Sequence, residues 1–278
     1  MTGFDARTTL ARPDLADVRL QGLVRAARFE QARRLRCRVP VAAIQKAASD
    51  DAELQDQLLY GEGFDVLDEA DGWAWGQARR DGYVGFVRRD ALGPPSVPTH
   101  WVRALRAIGF SRPDLKSPPR AWLSMNALVT AGEAMNGFLD AGEAGWVFAA
   151  HLAPVGAFES DPAAVAVRFE GAPYLWGGRD SLGLDCSGLV QQALYACGRA
   201  CGRDSDQQMH GPFGETQFGD LRRGDLVFWR GHEAMALDET RIIHANAFHM
   251  AVAIEPLAEA ITRIKAAGVG EPVGFRRP

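Results

Sequence analysis

The stretch Tyr174-Leu-Trp-Gly-Gly-Arg-Asp-Ser-Leu-Gly-Leu-Asp-Cys-Ser-Gly-Leu-Val190 decides how the C-terminal part of this chain is organised. From Cys186 onward, apolar residues fall at Leu189, Val190, Ala193, Leu194 and Cys197, the spacing of one face of an α-helix. Asp185 or a neighbour suits the N-cap, and Gly198 suits the position just past the C-terminus. Cys186 is therefore expected in the first turn of a helix with one buried face. There the helix dipole favours a thiolate over a thiol, and unpaired backbone N–H groups are available to an oxyanion. Gly177 and Gly178 let backbone come close to that turn. Cys197 faces the core and is expected to be inert.

A nucleophilic cysteine needs a base, and the base needs a group to orient it. Downstream, Gly231-His-Glu-Ala-Met-Ala-Leu237 and Arg241-Ile-Ile-His-Ala245 flank the turn signal Asp238-Glu-Thr240 and read as a β-hairpin. If Leu237 pairs with Arg241, His232 lies opposite Asn246 and His244 is one diagonal away. The two imidazoles then share a face, about 5–8 Å apart at Cβ. One ring can fix the tautomer of the other. His100, His151, His210 and His249 have no comparable support.

The chain has 278 residues, 47% hydrophobic and 24% charged, with a formal charge of −4. That length suits two or three globular domains. The charge and the absence of a basic stripe exclude nucleic acid as a first choice of partner. No run of about 18 apolar residues is present to form a transmembrane helix, and the start of the chain lacks the apolar core of a signal peptide, so a cytoplasmic location is expected. The four cysteines, Cys37, Cys186, Cys197 and Cys201, are expected as free thiols. Cys197 and Cys201, with His210 nearby, lack the spacing and the second ligand pair of a zinc site. Residues 1–38 carry nine Arg against four Asp or Glu. The recurrence of Leu15, Val18, Leu23, Ala26, Ala27 and Phe29 predicts an amphipathic helix over 14–36, so 1–38 is read as a helical segment.

Residues 39–95 read as a small all-β unit: Phe64–Leu67, Trp73–Trp75 and Tyr83–Val87 are short apolar runs separated by Asp71-Gly72 and Asp81-Gly82. Gly93-Pro94-Pro95 closes it as a linker. Residues 96–158 read as a weaker second copy, in which Ala144-Gly-Trp-Val-Phe148 echoes Asp81-Gly-Tyr-Val-Gly-Phe86. Residues 159–278 form a separate α+β domain that holds the chemistry.

Asp71-Gly-Trp73 followed by Asp81-Gly-Tyr-Val-Gly-Phe86 resembles bacterial SH3-like (SH3b) domains. Tyr174-Leu-Trp-Gly-Gly, Leu184-Asp-Cys-Ser-Gly188, Leu221-Arg-Arg-Gly-Asp-Leu-Val-Phe228, Gly231-His232 and Ile243-His-Ala245 together resemble the NlpC/P60 cysteine peptidases over roughly residues 161–270. The resemblance implies an α+β architecture: a papain-like catalytic domain preceded by two small SH3-like β-barrels. It implies Cys186 as nucleophile, His232 as base, His244 as the orienting third residue and Tyr174 as an aid to the oxyanion. It further implies hydrolysis of the γ-D-glutamyl–diamino acid bond of murein peptides that carry a free N-terminal L-Ala, as in cell-wall recycling. Asp185, Ser187, Asp204 and Ser205 are the implied substrate contacts, with Asp204 placed to pair with the ammonium. Tyr83 and Glu53 are the implied contributions of the first SH3-like unit. No metal or cofactor enters this chemistry.

One departure from the family pattern is visible. The catalytic histidine is usually followed by small apolar residues, but Glu233 stands here, on the strand face opposite His232. If that face is buried, the carboxyl needs a partner. Two other functions remain open: a different Cys-His-His amidase or acyltransferase on the same fold, and a non-catalytic cell-wall binding protein.

Overall fold

The computed structural model describes residues 4–278, which divide into two compact units, one ending at Val155 and the other spanning Gly156–Pro278.

The first unit is built of strands. A seven-stranded sheet runs in the order Leu54–Leu59, Val41–Gln45, Val84–Arg88, Trp73–Ala78, Gly63–Ala70, Arg33–Cys37, Leu92–Gly93. Its core gathers Ile44, Leu58, Phe64, Ala74, Tyr83 and Val87. A three-stranded and a five-stranded sheet follow, over a second core that includes Val102, Leu123, Val147 and Leu152. The two echoing segments share a local backbone. Val84–Arg88 and Trp146–Phe148 each lead through a three-residue 3₁₀ turn, Arg89–Ala91 or Ala149–His151, into a short strand. The residues entering these turns, Arg88 and Phe148, have φ/ψ of −58/126 and −57/124.

The helix expected over 14–36 does not form. The segment holds strands Leu15–Asp17, Arg28–Glu30 and Arg33–Cys37, with one 3₁₀ turn at Val18–Leu20. Gly22, at φ +82, departs from helical backbone, and Leu23 on the supposed apolar face is 62% exposed. Leu10 and Leu15 pack instead with Leu67 and Trp75, and Arg12 lies over the Trp75 ring while bonding Asp68. Arg33–Cys37 adds to the sheet edge by pairing Leu35 with Phe64. Sheet pairing and these long-range contacts outweigh a weak local propensity.

The second unit carries α1 (Pro162–Val167), α2 (Cys186–Ala196), α3 (Ser205–Met209) and α4 (Leu257–Ala266). Its six-stranded sheet runs Gly214–Glu215, Gly274–Arg277, Leu226–Trp229, His232–Ala236, Arg241–Asn246, Ala251–Pro256. Every residue of α2 is buried. The helix ends as its sequence suggests. Gly198 takes φ +72, its N–H reaches Tyr195 O at 3.0 Å, and the Arg199 N–H reaches Leu194 O at 2.9 Å. Cys197 is the C-cap and is half-buried rather than wholly in the core. Among the described residues, no helix is long and apolar enough to cross a membrane.

One close approach tests the packing within the first unit. Gly61 has φ +80, and a Cβ there would lie 2.0 Å from Leu128 O. Gly72 also has φ +80, but a Cβ there would meet only the flexible end of the Arg88 side chain, at 3.9 Å. Gly61→Ala should lower the unfolding free energy by about 2–4 kcal/mol, combining strain and overpacking. Gly72→Ala should cost about 1–2 kcal/mol. Urea unfolding of the two variants checks this, and equal costs would contradict the packing.

Candidate active site

Cys186 opens α2 because Asp185 caps it. One Asp185 oxygen accepts from the Gly188 N–H at 2.7 Å, and the other accepts from the Gly177 N–H at 2.8 Å. The guanidinium of Arg203 closes on the same carboxylate in a fork, at 2.9 and 2.7 Å, and also donates to Ser187 Oγ at 3.0 Å. Both charged groups are buried. The arrangement ties the glycine loop, the first turn of α2 and the 201–204 segment into one piece. Close packing explains the glycines: a Cβ on Gly188 would sit 2.2 Å from Gly178 O.

The hairpin adopts the register expected from the sequence. Met235 pairs with Ile243 and Ala236 with Ile242, and the Leu237 N–H reaches Arg241 O at 2.8 Å. The Asp238 carboxylate holds the turn by accepting the N–H groups of Thr240 and Arg241. His232 Nε2 and His244 Nδ1 are 2.8 Å apart. His244 Nε2 lies 2.6 Å from Glu255 Oε1, and Glu255 in turn bonds Arg263 of α4.

Proton placement along this row follows from Glu255. Its carboxyl is held below the usual range by the hydrogen bond from His244 and by Arg263, against the opposing effect of its own burial. A carboxylate only accepts, so His244 donates Nε2–H and is left with a bare Nδ1. His232 must then donate Nε2–H to it, which leaves His232 Nδ1 as a free lone pair. Burial disfavours the charged form of both rings; it pushes His232 down to about 3, helped by the neighbouring His244.

Cys186 is 8% exposed. Burial pushes its thiol well up, and the charge of Asp185 adds to this, as that of an ionised Glu233 would, while the amides of Glu233 and Ser187 act the other way. The Glu233 amide is thus directed at Cys186, and it belongs to the residue after His232 on the strand that packs on α2. Burial thus favours the neutral thiol and the neutral imidazole, so forming a thiolate at Cys186 would require its proton to pass to a neighbouring base. Tyr174 is half-buried, and its phenol is pushed up to about 12 by burial, then by Cys186 and Asp185. It remains an O–H donor within electrostatic reach of the sulfur.

The remaining expected contacts divide. Asp185 and Ser187 are buried and engaged internally. Asp204 caps α3 and is half-buried, as is Ser205, the first residue of that helix. Tyr83 lies in the hydrophobic core of the first unit at 3% exposure, and Glu53 is exposed and paired with Lys46 at 3.0 Å. Arg203 and Glu255 were not singled out from the sequence. The only available signals are an ionisable residue inside the otherwise apolar strand Ala251–Pro256 and an arginine beside Asp204. His244, His249 and Glu255 lie close enough together to hold a metal ion, but both ring nitrogens of His244 are taken up by hydrogen bonds.

Residues 171–270 match the NlpC/P60 family, and residues 44–92 match the bacterial dipeptidyl-peptidase Sh3 domain. The chain is 27% identical over 221 residues to dipeptidyl-peptidase 6 of Lysinibacillus sphaericus, covering 70% of this chain and 81% of that protein. It is 38% identical over 65 residues to a gamma-D-glutamyl-L-lysine dipeptidyl-peptidase of Bacillus subtilis, 23% of this chain and 22% of that one. An NlpC/P60 family protein from Bacillus cereus shares the fold, with a TM-score of 0.74 at 19% identity over 88% of this chain and 99% of that one.

The buried fork gives a stability test. Arg203→Met leaves the Asp185 charge without its cation and should cost about 3–5 kcal/mol. Adding Asp185→Asn removes the stranded charge and should recover part of the loss. Denaturant unfolding of the single and double variants checks this; purely additive losses would contradict the pairing.

Proposed function

We propose, from the premise that the chain is a cysteine peptidase of the NlpC/P60 family, that it hydrolyses the γ-D-glutamyl–diamino acid bond of murein peptides with a free N-terminal L-Ala. The observation that carries this reading is the row His232–His244–Glu255, carried on three neighbouring strands, the first of which packs against α2, the helix that Cys186 opens. In the proposed mechanism Cys186 Sγ attacks the carbonyl carbon of the D-Glu side-chain amide, and its proton passes to His232 Nδ1. His244 and Glu255 hold the ring in the required tautomer and stabilise the imidazolium that forms. The first-turn amides of α2 and the Tyr174 hydroxyl are the proposed donors to the oxyanion. His232 then protonates the leaving amine of the diamino acid. Water, deprotonated by the same histidine, releases the γ-glutamyl product from sulfur.

Asp204 is the proposed partner of the L-Ala ammonium, with Ser205 beside it at the start of α3. A free amine is found only on fragments already released from muramic acid, which places the reaction in the recycling of wall peptides. Residues 96–158 are read as a second SH3-like unit on the strength of the repeated strand–turn–strand backbone within them. The name of the Lysinibacillus relative and that of the Bacillus subtilis relative support a dipeptidyl-peptidase over an amidase, an acyltransferase or an idle binding protein.

Incubation with L-Ala-γ-D-Glu-diaminopimelate, with mass analysis of the products, tests the reading. Release of L-Ala-D-Glu is expected. Cys186→Ala should abolish it, whereas Cys197→Ala and Cys201→Ala should retain it. His232→Ala should lose nearly all activity, and His244→Gln less, since an amide can still orient the ring. Acetylating the L-Ala amine should lower kcat/KM by about tenfold to a hundredfold, the effect of losing one charge-assisted hydrogen bond. Efficient cleavage of the acetylated peptide would point to intact wall as substrate instead.

A further inference from the structure

Glu233 is the residue that the catalytic machinery leaves unexplained. It is 0% exposed, and among the described residues neither of its carboxyl oxygens has a hydrogen-bond partner. Its charged surroundings are mostly of its own sign. Asp185 lies at the start of α2 beside Cys186, Asp204 caps α3, and Asp206 lies in its first turn. The guanidinium of Arg203, which acts on it from nearby, is already forked onto Asp185. In the sheet, Glu233 pairs with the uncharged Phe228. A carboxylate in this place would be an acceptor with no donor, at the cost of a buried, uncompensated charge. A neutral carboxylic acid has one O–H to give. The amide oxygen of Gln208, on α3, is buried and lacks a donor, while its amide nitrogen serves Ser187 O and Gly202 O.

We propose that Glu233 acts as a neutral carboxylic acid that positions the strand carrying His232 against α2 and α3, and that its ionisation switches off Cys186 by setting an anion behind the sulfur. The proposal rests on Cys186 being the nucleophile. Its chemistry is a single protonation, with the proton exchanged with water. In the acid form the Glu233 amide and the α2 dipole favour the developing thiolate against burial and the single charge of Asp185. In the ionised form a negative charge adjoins that thiolate and disfavours it. Burial raises the Glu233 carboxyl well above its ordinary 4.5, with Asp185 acting in the same direction. Burial and the missing donor therefore favour its acid form, and the effect of its ionisation falls on the alkaline side of the ordinary carboxyl range.

Folding is linked to the same proton. Between the ordinary carboxyl range and the raised folded value, the folded chain keeps the proton and the unfolded chain has lost it. The folding constant of the wild type should therefore fall about tenfold per pH unit relative to Glu233→Gln across that window.

The test is the pH profile of Cys186 alkylation by iodoacetamide, in wild type and Glu233→Gln, with kcat/KM on the tripeptide measured in parallel. Glutamine keeps the shape and an N–H donor but cannot ionise. The two proteins should alkylate alike near pH 6. In alkaline solution the variant should react about tenfold faster, the effect of one pKa unit on the thiol. Difference infrared spectra of the two proteins at neutral pH should contain the carbonyl stretch of a protonated carboxylic acid. Superimposable alkylation profiles, or a carboxylate signature in place of the acid band, would overturn the proposal. A merely structural role would lower the variant's stability without changing the shape of its pH profile. Should Glu233→Gln not fold, Glu233→Met removes the charge with an apolar side chain and must show the same gain in alkaline reactivity. Alkylation and infrared need no peptide, so failure to cleave murein fragments would count against the proposed function and leave this test standing.

Discussion

The buried Asp185–Arg203 fork is the constraint on which the catalytic unit depends. A single carboxylate collects the amides of Gly177 and Gly188 and both guanidinium nitrogens of Arg203. It does three things at once: it starts α2, closes the glycine loop over that start, and fixes the segment leading into α3. Without it Cys186 has no defined position relative to the loop or to Asp204. The pair is costly to desolvate, so it is best understood as specifying geometry rather than as adding net stability.

The hairpin supplies the second half of the site by a different kind of physics. Its turn is set by the Asp238 side chain, and its register by alternation, so His232 and His244 meet because their separation is even. Glu255 and Arg263 then settle which nitrogen carries each proton. Burial thus disfavours charge on sulfur and imidazole in the resting site. The negative charge of Asp185 lies close to Cys186, and a second one at Glu233 would compound the penalty on the thiolate. This explains why a neutral Glu233 is compatible with an active thiol and an ionised one is not.

What was legible in the sequence was local. The helix after Cys186, its glycine stop and the hairpin register each follow from spacing within about a dozen residues, and each is present as expected. Arg203 and Glu255 act across sheet and loop, with no periodic signal linking them to Asp185 and His244, so spacing could not reveal them. The 14–36 segment shows the reverse failure. Its apolar residues do recur at helical intervals, but Arg12 finds Asp68 and Trp75, and Leu35 finds Phe64, and those contacts require extended chain. Tyr83, expected at the substrate, is drawn into the core of the first unit by its position in the sheet's apolar row.

The central claim is that Glu255, through His244, holds His232 as a neutral ring with Nε2 protonated and Nδ1 bare. Nitrogen NMR of the histidine rings in the intact protein at neutral pH tests it most directly. The account predicts that His232 and His244 both appear as Nε2–H tautomers with an unprotonated Nδ1, and that Glu255→Gln disturbs His232 although the two residues do not touch. An Nδ1–H tautomer or an imidazolium at His232 in the resting protein would contradict it.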